Sequence, residues 1–456
     1  MMSKDSHWSV EGGPTAGEGH FAMDELFFST TNKKGILASA NEVFARVSGY
    51  PLDQMLGKPH NIIRHEDMPR IAFKMLWDEV AAGRPFAAYV KNRTSGGQFY
   101  WVMAMVLPMP DGYLSIRLKP STEHFQVAQD LYRQLRAIER EVEGPRSIHV
   151  KPAMEASGEA LEAALARTPY GTYDSFMRTA LLAEVRSREE ALRTSGARGL
   201  AVPGGPLKPA IEAIAEVNAF LRQLVLNLDD YPQLKSQLTT RSALVRDLAD
   251  DVRLFALNAI ISSSHVSRGD SAVSAVAELL SSRSEVTGPL FVNLADAVGE
   301  ASTLLSEMLL PVAAASLQAE TLEVFLREIA AREAAANDQR DLQVVHGSFA
   351  AGLEELVAII TNLWERLSGL QPRVENLRRG MDTMRALSLN GRIESARMDD
   401  GQAFADLFLT VAQQVETSRL ELDALGKLGR GLFAENVRRL ARVHAAAREV
   451  QAVIAA

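Results

Sequence analysis

The sequence predicts an α+β domain followed by an all-α, antiparallel bundle of long helices. Three observations carry this. The aromatic residues are unevenly spread: 13 of 29 lie between Phe21 and Tyr113, while the 248 residues from Pro209 onward hold 10. The first stretch has short apolar runs separated by Gly-, Pro- and Asp-containing turns, the pattern of strands. The last half carries apolar residues at steps of three and four and an internal repeat, the pattern of packed helices. At 456 residues and about 150 residues per domain, the chain holds roughly three units.

In chain order, residues 1–20 are polar and Gly-rich and read as a disordered tail, and 21–120 as the α+β domain. Within it, Gly35–Ala38 and Ala88–Lys91 read as strands, and Thr94–Gly97 as the turn into Gln98–Met103. Pro110–Gly112 turns into Tyr113–Arg117, which completes a three-stranded meander. The stretch Pro69–Ala82 between the early strand and the meander is helical. Residues 121–208 read as a helical linker with breaks at Gly144-Pro145 and Val202–Pro206. Two hairpin repeats follow, 209–335 and 336–456. Arg253–Ser262 (RLFALNAIIS) recurs as Arg385–Glu394 (RALSLNGRIE), with Asn258 and Asn390 at the same place. The polar turns Arg268–Ser271 and Asp399–Gln402 follow the two copies. Seams at steps of three and four run through Leu248, Val252 and Phe255, through Val374, Leu377, Met381, Met384 and Leu387, and through Val411, Val415, Ser418, Leu422 and Leu425. A helix over Leu234–Arg268 would run about 50 Å at 1.5 Å per residue. The repeat leaves two assemblies open, a four-helix bundle within one chain or a homodimer.

Composition excludes several classes of function. A net charge of −8 gives no basic field for nucleic acid. The absence of cysteine excludes disulfides, thiolate metal sites and a cysteine nucleophile or flavin adduct. The first 19 residues lack the basic and apolar regions of a signal peptide. No run approaches the ~20 apolar residues of a membrane span, the nearest being Leu304–Ala315. The expectation is a soluble cytoplasmic protein without membrane insertion. No phosphate-binding loop, nucleophile elbow, zinc-protease helix or dinucleotide fingerprint occurs, so no enzyme is predicted.

Ser29-Thr30-Thr31, Ala40–Phe44, Val47–Tyr50, Gly57–Asn61, Arg64–Pro69, Val90–Arg93 and Tyr100-Trp101-Val102 together resemble the flavin-binding PAS domain of bacterial aerotaxis receptors. The resemblance covers residues 21 to 120. It implies FAD in the PAS pocket, reporting oxygen or respiratory flux by its redox state. It also implies ligand roles for Arg64, His65 and Asp67, for Trp77 in the next helix, and for Asn41 and Asn92. Phe86 stands where that family has Trp. The second repeat, with Leu387, Leu389, Asn390, Ile393, Glu394, Ala396, Arg397, Phe404 and Ala405, resembles the signalling-hairpin tip of methyl-accepting chemotaxis receptors. The first copy keeps Leu257, Asn258 and Ile261 but has Ser262 and His265 where that pattern has Glu and Arg. The resemblance implies that Asn390, Glu394, Arg397 and Asn258 contact a chemotaxis histidine kinase and its coupling adaptor, or related receptors. No methylation consensus is found.

The same residues have plainer readings. Asp67 precedes Met68-Pro69, so the Arg64–Asp67 segment serves equally as a helix cap. Trp77 and Trp101 suit a core. Asn258 and Asn390 suit register-fixing seam positions, and Glu394 with Arg397 a solvated ion pair. The function expected is a flavin-based redox or oxygen sensor of the chemotaxis type. The alternatives are a cofactor-free PAS scaffold that binds partners without controlling a kinase, and a haem-based gas sensor using His60 or His65.

Overall fold

A computed structural model describes residues 17–144, 149–195, 202–227, 230–264, 271–332, 337–397, 401–427 and 432–455. The turns at 268–270 and 399–400, His265, and the side chains of Leu248, Val252 and Phe255 lie outside the described residues.

The α+β domain is a PAS fold. Strands β1 (Phe27–Asn32), β2 (Leu37–Ala40), β3 (Phe86–Arg93), β4 (Phe99–Met109) and β5 (Gly112–Leu118) form one antiparallel sheet in the order β2-β1-β5-β4-β3. Between β2 and β3 lie α1 (Glu42–Ser48), α2 (Leu52–Met55), a 3-10 turn at His60–Ile63 and α3 (Arg70–Ala81). The meander appears as read, while β1 is an additional strand. Its Ser29, Thr30 and Thr31 are buried, because β1 pairs with β2 on one side and with β5 along its whole length on the other. Residues 17–19 are not a free tail: the Gly19 N–H donates to the Phe99 carbonyl at 2.7 Å.

Strand alternation divides the domain into two faces. On one, Phe27, Phe44, Val47, Met55, Ile63, Tyr100 and Val102 form the core under α1 to α3. The other meets α4 (Glu123–Glu143), α6 (Tyr173–Ser195) and α10 (Leu309–Ala331); α5 (Val150–Leu165) packs on α3 and α4, and α7 (Lys208–Leu226) on α6 and α10, all in the same compact unit. Phe28 meets Phe325 edge-on at 5.1 Å, Trp101 meets Phe125 at 5.4 Å, and Phe86 stacks on Tyr173 at 6.0 Å. The buried Glu184 of α6 accepts hydrogen bonds from Ser121 N–H (2.6 Å), Thr122 N–H (3.1 Å) and Tyr89 O–H (2.7 Å), which ties the start of α4 to the sheet. Arg188 of α6 pairs with Glu320 of α10 at 2.7 Å.

The chain divides into two compact units. One is Met1–Leu228 with Leu309–Leu356 and Arg442–Ala456; the other is Asp229–Met308 with Val357–Ala441. The second contains α8 (Asp230–Ser264), α9 (Ser271–Glu307), most of α11 (Asp338–Ser395) and α12 (Gln402–Lys427). α13 (Leu432–Ala455) ends the chain. The seam residues Val374, Leu377, Met381, Met384, Val411, Val415, Ser418, Leu422 and Leu425 are buried and Leu387 is half-buried, and Gly391 lies close against the Phe408 ring. The expectation that no segment reaches membrane-span hydropathy needs correction: windows within Ala272–Ala331 and Asp338–Ser395 have mean hydropathies of 1.3 and 1.4. Small apolar residues on several helix faces raise those means without an unbroken apolar run, and the first window is 72% buried inside the protein.

Candidate functional site

The PAS domain holds a partly open cavity of about 260 Å³ between α3 and the sheet. Phe73, Leu76 and Trp77 of α3 face Val90 and Val106 across it, and Thr31, His60, Asn61, Arg64, Asn92, Ser115 and Arg117 supply polar groups. Alternation along β5 places Tyr113, Ser115 and Arg117 on the cavity side together. Gly35 gives Trp77 its place: at φ 73° it lies so close that a Cβ would fall 2.8 Å from the indole.

The charges are one-sided. Lys34, Arg64 and Arg117 line the cavity and no Asp or Glu does. Arg117 is 2% exposed. Its Nη2 donates to Ser29 Oγ at 3.0 Å and meets His60 Nε2, its Nη1 donates to the Ser115 carbonyl at 3.4 Å, and its guanidinium lies 4.7 Å from the Phe44 ring centre. Burial lowers it to about 10, so it stays protonated at neutral pH. Burial, then the charge of Arg117, lowers His60 to about 3, so this imidazole is neutral. Arg64 stacks over Phe73 at 3.9 Å and is lowered to about 10, first by burial and then by Arg70. The buried Asn92 Nδ2 has no partner, a cost of about 1–3 kcal/mol unless a ligand accepts from it.

Of the residues singled out in the sequence, Arg64, Trp77 and Asn92 line the cavity, whereas His65, Asp67 and Asn41 do not. Asp67 accepts from Lys91 Nζ at 2.7 Å and Arg140 Nη2 at 3.0 Å. Burial alone would raise its carboxyl, but the bond to and charge of Lys91 outweigh that and hold it low. His65 Nδ1 accepts the Asp67 N–H at 3.1 Å, and burial lowers its pKa. Nor does Asp67 cap α3. Glu139 of α4 does so, accepting from Arg70 N–H at 2.8 Å and Ile71 N–H at 3.0 Å. Asn41 Oδ1 accepts the Phe28 N–H at 3.1 Å, and its Nδ2 donates to the Leu26 carbonyl at 3.2 Å and Glu328 at 3.3 Å. These three residues fix the frame around the cavity. Arg117 and Ser115 were not singled out; the alternation that puts them beside Tyr113 was the available signal. His60 lines the cavity, but its Nε2 is taken by Arg117, so iron ligation would require breaking that contact. Among the described residues no cluster of three or more His, Asp or Glu could hold a metal ion.

In the second unit, the side chains of Asn258 and Asn390 are exposed rather than in a seam. Glu394 and Arg397 form an ion pair at 2.8 Å on the surface of α11. Leu257 and Ile261 are exposed near Asn258, as are Leu389 and Ile393 near Asn390.

Residues 37–113 match the family described as PAS fold. Over 121 residues the chain is 40% identical to the aerotaxis receptor of Escherichia coli strain K12, a match covering 25% of this chain and 24% of the receptor. The chain thus spans about a quarter of the length of the curated relative it matches. Among solved structures, the blue-light photoreceptor Aureochrome1 LOV in its light state aligns at 16% identity, covering 24% of this chain and 91% of its own, with a TM-score of 0.21. A fungal LOV domain photoreceptor aligns at 14% identity, covering 24% and 81%, with a TM-score of 0.18. Scores this low add nothing to the argument.

Proposed function

We propose that the protein is a flavin-binding redox or oxygen sensor of the chemotaxis type, with the isoalloxazine ring of FAD in the PAS cavity and the helical region as output. The observation that carries this is the donor set of the cavity: apolar walls, cationic side chains with no acid among them, and an unpartnered Asn92 amide. Such a set suits a flat apolar ring whose edge carries carbonyl and nitrogen acceptors. The identity to an aerotaxis receptor over the PAS region supports the same ligand. Lys34 and Arg64 would supply positive charge for the phosphates.

FAD would supply reversible electron uptake. The chain's own residues bind and report: Phe73, Leu76 and Trp77 exclude water, Asn92 donates to the ring edge, and Arg117 presents positive charge. A change at Arg117 reaches Ser29, and through β1 the contact of Phe28 with α10. The receptor-like surface around Asn390, Glu394 and Arg397 would contact a histidine kinase or its adaptor. This is a binding device rather than a catalyst.

An absorption spectrum of the purified protein over roughly 300–600 nm, where flavins absorb, tests the reading. Flavin bands released in near-stoichiometric amount on denaturation are expected. A colourless protein that takes up no FAD on incubation overturns the sensor and leaves the scaffold; an intense haem band replaces it with the gas sensor.

A further inference from the structure

We propose that Arg117 sets the redox preference of the cavity, facing the electron-rich edge of the bound flavin and holding there the negative charge that the ring gains on reduction. The inference rests on the flavin reading above and adds a residue and a role to it.

The argument starts from an imbalance. A buried guanidinium ordinarily comes with a carboxylate, because desolvating an unpaired cation is costly. Among the described residues no carboxylate pairs with Arg117. Its partners are a hydroxyl, a carbonyl, a neutral imidazole and the face of Phe44. Each is an acceptor or a π-face, and none carries charge. No Asp or Glu is among the residues lining the cavity. Asn92, 3% exposed, brings a second and independent sign of a missing acceptor in its unpartnered Nδ2. Two donors lining one cavity, one cationic and one unsatisfied, fit a ligand that accepts hydrogen bonds and becomes anionic. The pyrimidine edge of a flavin does both, since reduction places negative charge on N1 and the adjoining carbonyl.

The balance is explicit. Two electrons from an external reductant, dithionite in the test, enter the ring with one proton from solvent, which forms the N5–H bond. The ring's charge changes from zero to minus one, and Arg117 keeps its own proton. Without a fixed cation, a flavin reduced at about pH 6 takes up a second proton, at N1.

The test uses the full chain loaded with FAD. Dithionite titration at about pH 6 with a pH indicator, after subtraction of the roughly two protons that oxidation of dithionite to bisulfite releases, counts the protons the flavoprotein takes up per two electrons, and equilibrium binding measures affinity for oxidised and reduced FAD. In the unaltered protein one proton per two electrons is expected. Arg117→Gln should take up two, and its preference for reduced over oxidised FAD should fall about tenfold or more, whereas Arg117→Lys should keep most of it. Uptake of two protons by the unaltered protein, or an unchanged preference in folded Arg117→Gln, overturns the inference while leaving flavin binding intact. Failure of the unaltered protein to bind FAD in either state overturns the flavin reading itself, and this role with it. Should Arg117→Gln not fold, judged by circular dichroism, the proton count of the unaltered protein decides.

Discussion

Gly35 shows how one residue governs the cavity. Its φ of 73° is left-handed, and its carbonyl accepts the His60 N–H at 2.9 Å, so the turn between β1 and β2 holds the start of the 3-10 segment. An alanine there meets two penalties: strain of about 1 kcal/mol for a side chain at positive φ, and a clash with Trp77 that only movement of the indole relieves. Gly35→Ala should therefore lower the melting temperature by a few degrees and weaken FAD binding about tenfold or more. Unchanged affinity by fluorescence titration would mean that Trp77 does not shape the site. At this scale the sequence was partly legible. Arg64, Trp77 and Asn92, singled out through the resemblance, line the cavity. Arg117 was not singled out, because an arginine in a strand reads as solvent-facing until the partner strand brings Ser29 to it from 88 positions away.

At the scale of elements, the junction of β1, α1 and α10 joins the sheet to the helices. Phe28 and Ser29 are neighbours on β1 and point to opposite faces, one to Phe325 and the other to Arg117. Glu328 of α10 closes the junction, its two carboxylate oxygens accepting from Asn41 Nδ2 and, at 3.4 Å, from the Glu42 N–H at the start of α1. Burial pushes its carboxyl up to about 7 despite those bonds; Glu42 adds to the rise and Arg332 opposes it. With the folded pKa above the unfolded value of 4.5, the native state binds more protons between those limits. The contribution of Glu328 to stability is therefore complete below about 4.5 and is lost as pH rises to about 7, at up to about 1.4 kcal/mol per pH unit. Glu328→Gln should remove that slope. The difference in melting temperature between unaltered protein and variant, followed from about pH 4.5 to 8, should change sign or shrink steadily; a constant difference would show that Glu328 does not titrate in this range. The sequence hid this junction for a physical reason. Strand β1 reads as apolar for two residues and polar for the next four, and only pairing on both edges buries Ser29, Thr30 and Thr31. The α11 and α12 seams were legible because a three-four spacing alone specifies which face is buried.

For the whole molecule, the PAS sheet, α4 to α7 and α10 belong to one compact unit assembled from separate stretches of chain, and sequence order conceals it. The outer sheet face carries Phe28, Tyr89 and Trp101, and the side chains meeting them come from α4, α6 and α10, while Phe86, at the start of the edge strand β3, stacks on Tyr173 of α6. Phe325 is nearly 300 positions from Phe28, so no local pattern predicts the contact. Each large side chain buried there contributes about 1.5–3 kcal/mol, in sum comparable with the whole stability of a typical domain. A fragment of residues 17–120, although it contains all five strands and the cavity, should expose a contiguous apolar patch and self-associate. Extending it to residue 195 restores the partners of Phe86, Tyr89 and Trp101 but leaves Phe28 and Asn41 without α10. The longer fragment should be more soluble yet melt well below the intact chain, and a peptide of residues 309–331 added to it should raise the melting temperature. Sedimentation velocity and thermal melts check each step. A monomeric 17–120 fragment as stable as the intact protein would show the helices to be mere neighbours of the sensor domain, and would remove α10 as the route by which a change at Arg117 leaves it.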